Sequence, residues 1–180
     1  MINFYVWYFL SGDIVINIKR VVVGSLEENC YIVTCNDKTI IIDPGADANK
    51  IISACENLNV VGILITHHHF DHIGALDEIE KHFNVKESMY INGFDYIIVK
   101  NPGHTFDSVS YYFKDDNVMF VGDFIFNGSI GRTDLPTGNL NDMLNSLKKI
   151  SNYPDDIIVY PGHGLSTTLG KEKLNFKKYF

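Results

Sequence analysis

The stretch Thr66-His67-His68-His69-Phe70-Asp71-His72 holds the side chains best suited to chemistry in this 180-residue sequence. It places four imidazoles and one carboxylate within six consecutive positions. Packed together, these groups would repel one another when protonated, and when neutral they would leave many ring nitrogens needing hydrogen-bond partners. A divalent cation resolves both problems, because neutral imidazole nitrogens and carboxylate oxygens are its preferred ligands. The stretch therefore predicts a metal site.

More distant residues of the same chemical types share one placement along the chain. Each follows an apolar, strand-like run: His67 after residues 60–65, His104 after 96–100, Asp123 after 118–121 and His163 after 157–160. In open sheets, ligand-binding groups collect at the carboxyl ends of strands. Neighbouring glycines such as Gly103 and Gly162 permit tight turns that aim a side chain at a shared centre. We therefore expect these loops to meet at one site.

The elements that must position these loops alternate between the periodicities of strands and helices. Strands are predicted at residues 14–23, 30–34, 39–42, 60–65, 96–100, 109–113, 118–121 and 157–160. Helices are predicted at residues 47–58, from about Ile73, at 140–150 and at 169–179, with a long Gly-rich loop over 122–138. This pattern indicates one α/β domain.

Composition excludes some functions and suggests a compartment. The net charge of −7 argues against a nucleic-acid surface, which needs clustered Lys and Arg. The three cysteines, Cys30, Cys35 and Cys55, form no CxxC motif and are expected to be free thiols in a reducing compartment. The apolar start of the chain lacks a basic n-region, a cleavage site and the length to span a bilayer. A cytoplasmic protein without a membrane partner is expected.

The His-rich stretch also carries a family resemblance. Residues 67–72 match HxHxDH, the signature of the metallo-β-lactamase superfamily, and the segments around His104, Asp123 and His163 resemble its later ligand motifs in the same order. The resemblance extends over residues 18–176. Within the superfamily, residues 131–136 (Gly-Arg-Thr-Asp-Leu-Pro) and 163–170 resemble the small glyoxalase II-like hydrolases.

The resemblance implies a fold and its boundaries. The fold is a four-layer αββα sandwich of the metallo-β-lactamase type, in which two facing sheets are flanked by helices. Residues 17–180 would form this single domain, without the C-terminal helical domain of larger glyoxalase II enzymes. Residues 1–16 would be an N-terminal extension, an edge strand or a partner contact.

The resemblance also implies a ligand set for two divalent metal ions, expected to be zinc, with iron or manganese as alternatives. By motif, the first ion would be bound by His67, His69 and His104, and the second by Asp71, His72 and His163. Asp123 would bridge the two ions. His68 is expected to form a hydrogen bond behind the ligands or to face solvent.

The activity implied by the resemblance is hydrolysis of a hydroxyacyl-thiol thioester, such as S-lactoylglutathione. A hydroxide bridging the two ions, its pKa lowered from about 15.7 toward about 7, would attack the carbonyl. The catalytic residues would be Asp123 and Asp71, with Asp71 orienting the hydroxide. For Arg132 two interpretations stay open, a substrate-binding contact to a carboxylate and a structural ion pair with Asp134. The partner is a small molecule, and the oligomeric state is left open.

Other functions remain compatible with the sequence. A persulfide dioxygenase of the same superfamily uses one ferrous iron and also carries a Gly-Arg-Thr-Asp run, so it is the main alternative. The site could also serve a hydrolase of another ester or lactone, or bind metal without turnover. β-Lactam hydrolysis is disfavoured by the expected compartment.

Overall fold

The computed structural model describes residues 16–180, and two β-sheets lie at its centre. The first sheet has the order β1-β2-β3-β4, formed by β1 (Asn17–Val23), β2 (Glu28–Cys35), β3 (Lys38–Ile42) and β4 (Val60–Leu64). The second has the order β11-β10-β7-β6-β5, formed by β5 (Ile97–Lys100), β6 (Val109–Phe113), β7 (Val118–Gly122), β10 (Ile158–Pro161) and β11 (Thr167–Thr168). A separate hairpin pairs β8 (Ile125–Phe126) with β9 (Ser129–Ile130).

Helices connect and cover these sheets. They are α1 (Ala48–Ala54), α2 (Phe70–Ile73), α3 (Leu76–Phe83), α4 (Leu140–Ile150) and α5 (Leu169–Phe176). Among the described residues, none of these helices has the length and apolarity that a membrane crossing requires. The predicted N-terminal extension lies outside the described residues, apart from Ile16.

The alternation of side chains along the strands explains how the sheets stack. In β2, Cys30 and Ile32 pack toward α1 and α3, whereas Tyr31 and Val33 pack against the second sheet. Successive residues of a strand point to opposite faces, so a strand that is apolar on both faces must be covered on both. Three buried clusters result, one between the sheets and one beneath the helices on each outer side. The predicted four-layer αββα sandwich is confirmed.

Several predicted boundaries differ from the structure. The helix expected over 47–58 ends at Ala54, and Asn57, at φ 63°, has left-handed backbone before β4 begins. The helix expected from Ile73 is two helices, α2 and α3, and α2 begins inside the His-rich stretch at Phe70. The loop expected over 122–138 contains the β8–β9 hairpin.

The strand ends that carry the candidate site meet along one edge of the sandwich. β3 runs parallel to β4, and β7 runs parallel to β10, so each pair delivers its following loops to the same edge. The sheets are joined there by Asn29, whose backbone N–H donates to the Gly162 carbonyl at 2.7 Å. The Asn29 side chain also donates to the carbonyls of Pro161 and Gly164. This junction fixes the loop of the second sheet against the first.

Candidate metal centre

Three histidines form the first half of the site, called here the three-histidine half: His67, His69 and His104. Their inward ring nitrogens lie close together, with His69 Nδ1 at 3.2 Å from His67 Nε2 and 2.9 Å from His104 Nε2. Two nitrogens that each lie about 2.0 Å from one tetrahedral ion would be about 3.3 Å apart. The spacing therefore suits a shared metal ion.

The second half, called here the mixed half, combines a carboxylate with two imidazoles: Asp71, His72 and His163. His163 Nε2 lies 3.3 Å from Asp71 Oδ2. Asp71 and His72 reach the site from helix α2, whereas His163 reaches it from the loop after β10. A four-residue helix is enough to turn both side chains of an otherwise extended stretch toward the second position.

Asp123 lies between the two halves. Its Oδ1 is 3.3 Å from His72 Nε2 and 3.7 Å from His163 Nε2, on the side of the mixed half. Its Oδ2 is 3.5 Å from His104 Nε2, on the side of the three-histidine half. One carboxylate oxygen thus faces each half, which is the arrangement that a bridging ligand requires.

The outer nitrogens of four histidines are held by acceptors in the surrounding protein. Nδ1 of His67 lies 3.1 Å from the Thr66 hydroxyl, and Nδ1 of His104 lies 2.8 Å from the Arg132 carbonyl. The outer contacts of the mixed half join His72 Nδ1 to Asp43 Oδ2 at 3.0 Å and His163 Nδ1 to the Leu26 carbonyl at 3.0 Å. A proton held at Nδ1 leaves Nε2 unprotonated and directed inward, which is the tautomer that a metal requires.

Asp43 connects the two halves from behind. Its Oδ1 accepts from the Thr66 backbone N–H at 2.7 Å, and its Oδ2 accepts from the Thr66 hydroxyl at 2.6 Å as well as facing His72. Glu28 is also buried there, with Oε1 3.8 Å from His72 Nδ1. Burial, together with the Asp43 carboxylate, raises the pKa of Glu28 to about 10, so this carboxyl is protonated at neutral pH.

The electrostatics differ among the ligand side chains. The neighbouring carboxylates of Asp123 and Asp43 raise the pKa of His72, and the Asp71 carboxylate raises the pKa of His163, so a bound metal would have to displace a proton from each ring. His67 and Asp71 are already in the ligating form. Burial lowers the pKa of His67 to about 2, so its ring is neutral at neutral pH. The neighbouring His163 ring lowers the pKa of Asp71 to about 2, so that carboxylate is ionised. Neutral imidazole and ionised carboxylate are the ligating forms.

Two buried atoms at the centre test whether the residues fit metal ions. Nε2 of His72 and Oδ1 of Asp123 have no hydrogen-bond partner of acceptable geometry, although both are buried. Buried polar atoms are normally satisfied, because an unpaired one costs on the order of 1–3 kcal/mol. Both atoms face the mixed half, where a cation would satisfy them. These unpaired atoms fit a metal ion in the mixed half, and the nitrogen spacing given above fits one in the three-histidine half.

A glycine permits this close packing. A Cβ atom added at Gly162 would lie 2.4 Å from Asp123 Oδ1 and 2.6 Å from His72 Cε1. Any side chain at this position would displace one of these groups. The loop that carries His163 thus approaches the centre through a residue without a side chain.

All seven predicted ligands come together, and the other singled-out residues lie around them. The Arg132 side chain donates through Nε and Nη2 to the two carboxylate oxygens of Asp134, at 2.7 Å each, and both side chains are exposed. His68 is exposed, and its Nδ1 lies 2.7 Å from Asp107 Oδ2. His68 thus faces solvent and makes a hydrogen bond to a residue that belongs to neither half.

Sequence reasoning missed the residues behind the ligands, above all Asp43 and Glu28. Asp43 directly follows the apolar strand β3, which is the placement that identified the other candidates. That signal could have found it. Glu28 begins β2, and no pattern in the surrounding sequence marks it as buried.

Exposed apolar side chains surround the centre. Phe70 and Phe106 are each 74% exposed although they adjoin ligand-bearing segments, and Leu26 and Leu165 are 51% and 66% exposed. Such side chains beside a polar centre are typical of a site for an organic molecule.

Comparison with known proteins places this geometry in a family. The family model described as the metallo-beta-lactamase superfamily matches residues 23–97 and 89–163. Hydroxyacylglutathione hydrolase GloC of Haemophilus influenzae is 31% identical, over 87% of this chain and 95% of that protein.

Two solved structures share the fold. BLEG-1, described as a B3 metallo-beta-lactamase, superposes with a TM-score of 0.81 at 32% identity, covering 87% of this chain and 96% of that one. The structure of TTHA1623 in a di-iron-bound form superposes with a TM-score of 0.77 at 29% identity, covering 86% and 96%.

Proposed function

The chain belongs to the metallo-β-lactamase superfamily, and on this premise we propose that it is a hydrolase that uses two divalent metal ions to cleave a hydroxyacyl-thiol thioester. S-Lactoylglutathione represents this substrate class. The similarity to a protein named hydroxyacylglutathione hydrolase supports the choice of thioester.

The observation that carries the proposal is the pair of complete ligand sets with one carboxylate between them. The three-histidine half and the mixed half each contribute three inward ligand atoms, and Asp123 directs one oxygen to each. A site for a single ion would need only one of these sets. The geometry thus favours hydrolysis by two ions over the one-iron dioxygenase chemistry.

Divalent ions held by these residues would supply Lewis acidity, which lowers the pKa of water toward about 7 and polarises a carbonyl group. The chain itself supplies orientation. Asp71 is ionised and only partly buried, so its carboxylate can accept a hydrogen bond from an attacking water and fix its direction. Asp123 holds the two halves at a fixed separation.

A thioester suits these residues because its leaving group departs without protonation by a side chain of the protein. A thiolate with a pKa near about 8.5 departs at neutral pH without a strong general acid. No serine or cysteine nucleophile is required, and the three cysteines Cys30, Cys35 and Cys55 are buried. Burial raises the pKa of the Cys55 thiol to about 11, which makes it a poor nucleophile.

We propose zinc as the metal, because imidazole and carboxylate together suit its borderline character. Iron is the alternative metal, because the similar protein TTHA1623 has been solved in a di-iron-bound form. We further propose a cytoplasmic location, which the free state of the three cysteines supports.

The decisive experiment combines metal quantification with a hydrolysis assay on the purified protein. Two metal ions per chain and release of glutathione from S-lactoylglutathione are expected. One iron per chain, with oxygen consumed in the presence of glutathione persulfide, would instead establish the dioxygenase.

A second candidate is β-lactam hydrolysis, favoured by the likeness to BLEG-1 at 32% identity. A cephalosporin assayed beside the thioester separates the two. Turnover of the cephalosporin with a higher kcat/KM than the thioester would reverse the assignment.

A further inference from the structure

A cavity of about 460 Å³ opens beside the mixed half of the metal centre. Its lining consists of Phe126, Asn127, His163, Gly164 and Leu165. The volume lies within the range of about 300–1,000 Å³ that is typical of small-molecule pockets. Because His163 belongs to both the cavity and the mixed half, a molecule that fills the cavity can reach the metal centre.

Two cations are hydrogen-bonded to residues that line this cavity. On the loop after β10, Arg20 Nη1 donates to the Gly164 carbonyl at 2.7 Å. On the β8–β9 hairpin, Lys171 Nζ donates to Asn127 Oδ1 at 2.7 Å. Both side chains are exposed. Each cation therefore stands within one hydrogen bond of a lining residue, although the two come from opposite ends of the described chain.

Among residues 16–180, no carboxylate lies within ion-pair distance of either cation. Within residues 16–180, the ion pairs made by lysine and arginine are Lys86–Glu80, Arg132–Asp134 and Lys173–Asp155. Arg20 and Lys171 each donate to a neutral oxygen instead, and each retains further N–H donors. Arg132 differs from both, because its guanidinium donates through Nε and Nη2 to the two carboxylate oxygens of Asp134.

The hairpin wall is held in place by a buried carboxylate. Glu172 accepts from the Gly128 backbone N–H at 2.9 Å and from the Thr167 hydroxyl at 2.6 Å. The Asn127 side chain also donates to the Ser166 carbonyl at 3.2 Å, which joins the two walls. The negative charge of Glu172 is thus engaged by internal donors, and the cavity has a defined shape.

We propose that this cavity binds the carboxylate-bearing thiol portion of the substrate, and that Arg20 and Lys171 are specificity-determining residues for anionic thioesters. The inference rests on the proposed hydrolase function. The chain carries a net charge of −7 and lines its centre with Asp71 and Asp123. Metal ions held there would act on the thioester carbonyl, so the glutathione carboxylates, which lie several bonds away, need cations outside the centre. Phe126 and Leu165 add apolar surface to the cavity lining.

The first test measures binding without turnover on the metal-loaded protein. The probe is S-methylglutathione, a thioether that carries both glutathione carboxylates and cannot be hydrolysed. Arg20→Gln and Lys171→Gln keep a hydrogen-bond donor for Gly164 and Asn127 while removing the charge. By isothermal titration calorimetry, each should weaken binding about threefold to tenfold, since charge-assisted hydrogen bonds are lost, and added salt should weaken binding to the wild type most.

Matched controls remove the same charge elsewhere. The control for Arg20 is Lys19→Gln. Lys19 is the preceding residue of β1 and lies on the other face of the strand, where its Nζ donates to the Ala54 carbonyl. The control for Lys171 is Lys177→Gln, which changes an exposed lysine just beyond α5. Both should bind the probe like the wild type. Arg20→Gln could also lower the metal content, because Gly164 directly follows the ligand His163. In that case the Lys171→Gln variant tests the role of charge. Arg20→Lys keeps the charge and should restore binding of the probe. Failure of the wild type to bind, or equal binding by Arg20→Gln and Lys171→Gln, would overturn the proposal.

The second test compares kinetics on charged and neutral thioesters. For S-lactoylglutathione, both variants should raise KM with little change in kcat, whereas an uncharged thioester of N-acetylcysteamine should be cleaved as by the wild type. An equal loss on both substrates contradicts a role in charge recognition. If the wild type cleaves neither thioester while the charge variants still weaken probe binding, the hydrolase proposal fails and the anionic pocket stands.

Discussion

The three-histidine half and the mixed half of the metal centre differ in charge and in what holds them. The three-histidine half presents imidazoles alone, and its outer hydrogen bonds go to the Thr66 hydroxyl and the Arg132 carbonyl. The mixed half contains the carboxylate of Asp71, and its His72 is held by the carboxylate of Asp43. A carboxylate behind an imidazole raises its basicity more than a neutral acceptor does.

Because of this difference, we expect the two halves to prefer different metal ions. Imidazole ligands suit zinc and iron, whereas added carboxylates also suit harder cations such as manganese. We therefore expect the mixed half to accept a wider range of divalent metals than the three-histidine half. Asp123 faces both halves, so we expect loss of one ion to affect the other through this residue.

The largest effect is expected from Asp123→Ala, which removes the contact shared by both halves. Both ions should be lost and hydrolysis should fall by more than about a thousandfold, because two-ion chemistry requires both. Metal quantification and the thioester assay measure the change. Asp37→Ala, at an exposed turn, is the control and should retain both ions. Full two-metal occupancy in Asp123→Ala would rule out a bridging role.

The next effect comes from a matched pair, His69→Ala and His163→Ala, each of which removes one ligand from one half. Each variant should retain about one ion per chain and lose roughly a hundredfold or more in hydrolysis. Metal titration of the two proteins side by side tests whether the halves fill independently. Loss of both ions from both variants would show that the halves act as one unit.

A smaller effect is expected from Asp43→Asn, which leaves every ligand in place but removes the charge behind His72. The affinity of the mixed half should fall about tenfold to a hundredfold, as is typical when a partner behind a ligand is changed. Competition with a chelator measures this affinity. Asp47→Asn, an exposed neighbour that accepts from the Gly24 backbone, serves as the control. Equal weakening in the two proteins would argue against a specific role for Asp43.

The smallest effect is expected from Arg132→Gln. His104 is held by the backbone carbonyl of Arg132, which the substitution keeps, so the metal content should not change. Because Asp134 occupies the guanidinium, KM for S-lactoylglutathione should rise less than about threefold, and less than in Arg20→Gln. A larger rise in KM than in Arg20→Gln would restore Arg132 as the main substrate contact.

Much of the fold was accessible from local patterns in the sequence. The apolar runs before His67, Asp123 and His163 form the strands β4, β7 and β10, and residues 140–150 form α4 as predicted. Hydrophobic periodicity predicts these elements correctly because each strand is apolar on both faces and the helix is apolar on one face. The β8–β9 hairpin was missed although Asn127-Gly128 between apolar residues is a strong hairpin signal. Its strands are two residues long, too short for an alternating pattern to show.

The types of the ligands and their placement after strands can be read from the sequence, because both are local properties of short segments. The backbone groups that hold the histidines and the cations beside the cavity are set by tertiary packing. Arg20 and Gly164 are 144 positions apart and meet only because the two sheets stack with β1 and the loop after β10 at one edge. Such contacts depend on how the faces of the sheets pack, and no local periodicity encodes that arrangement.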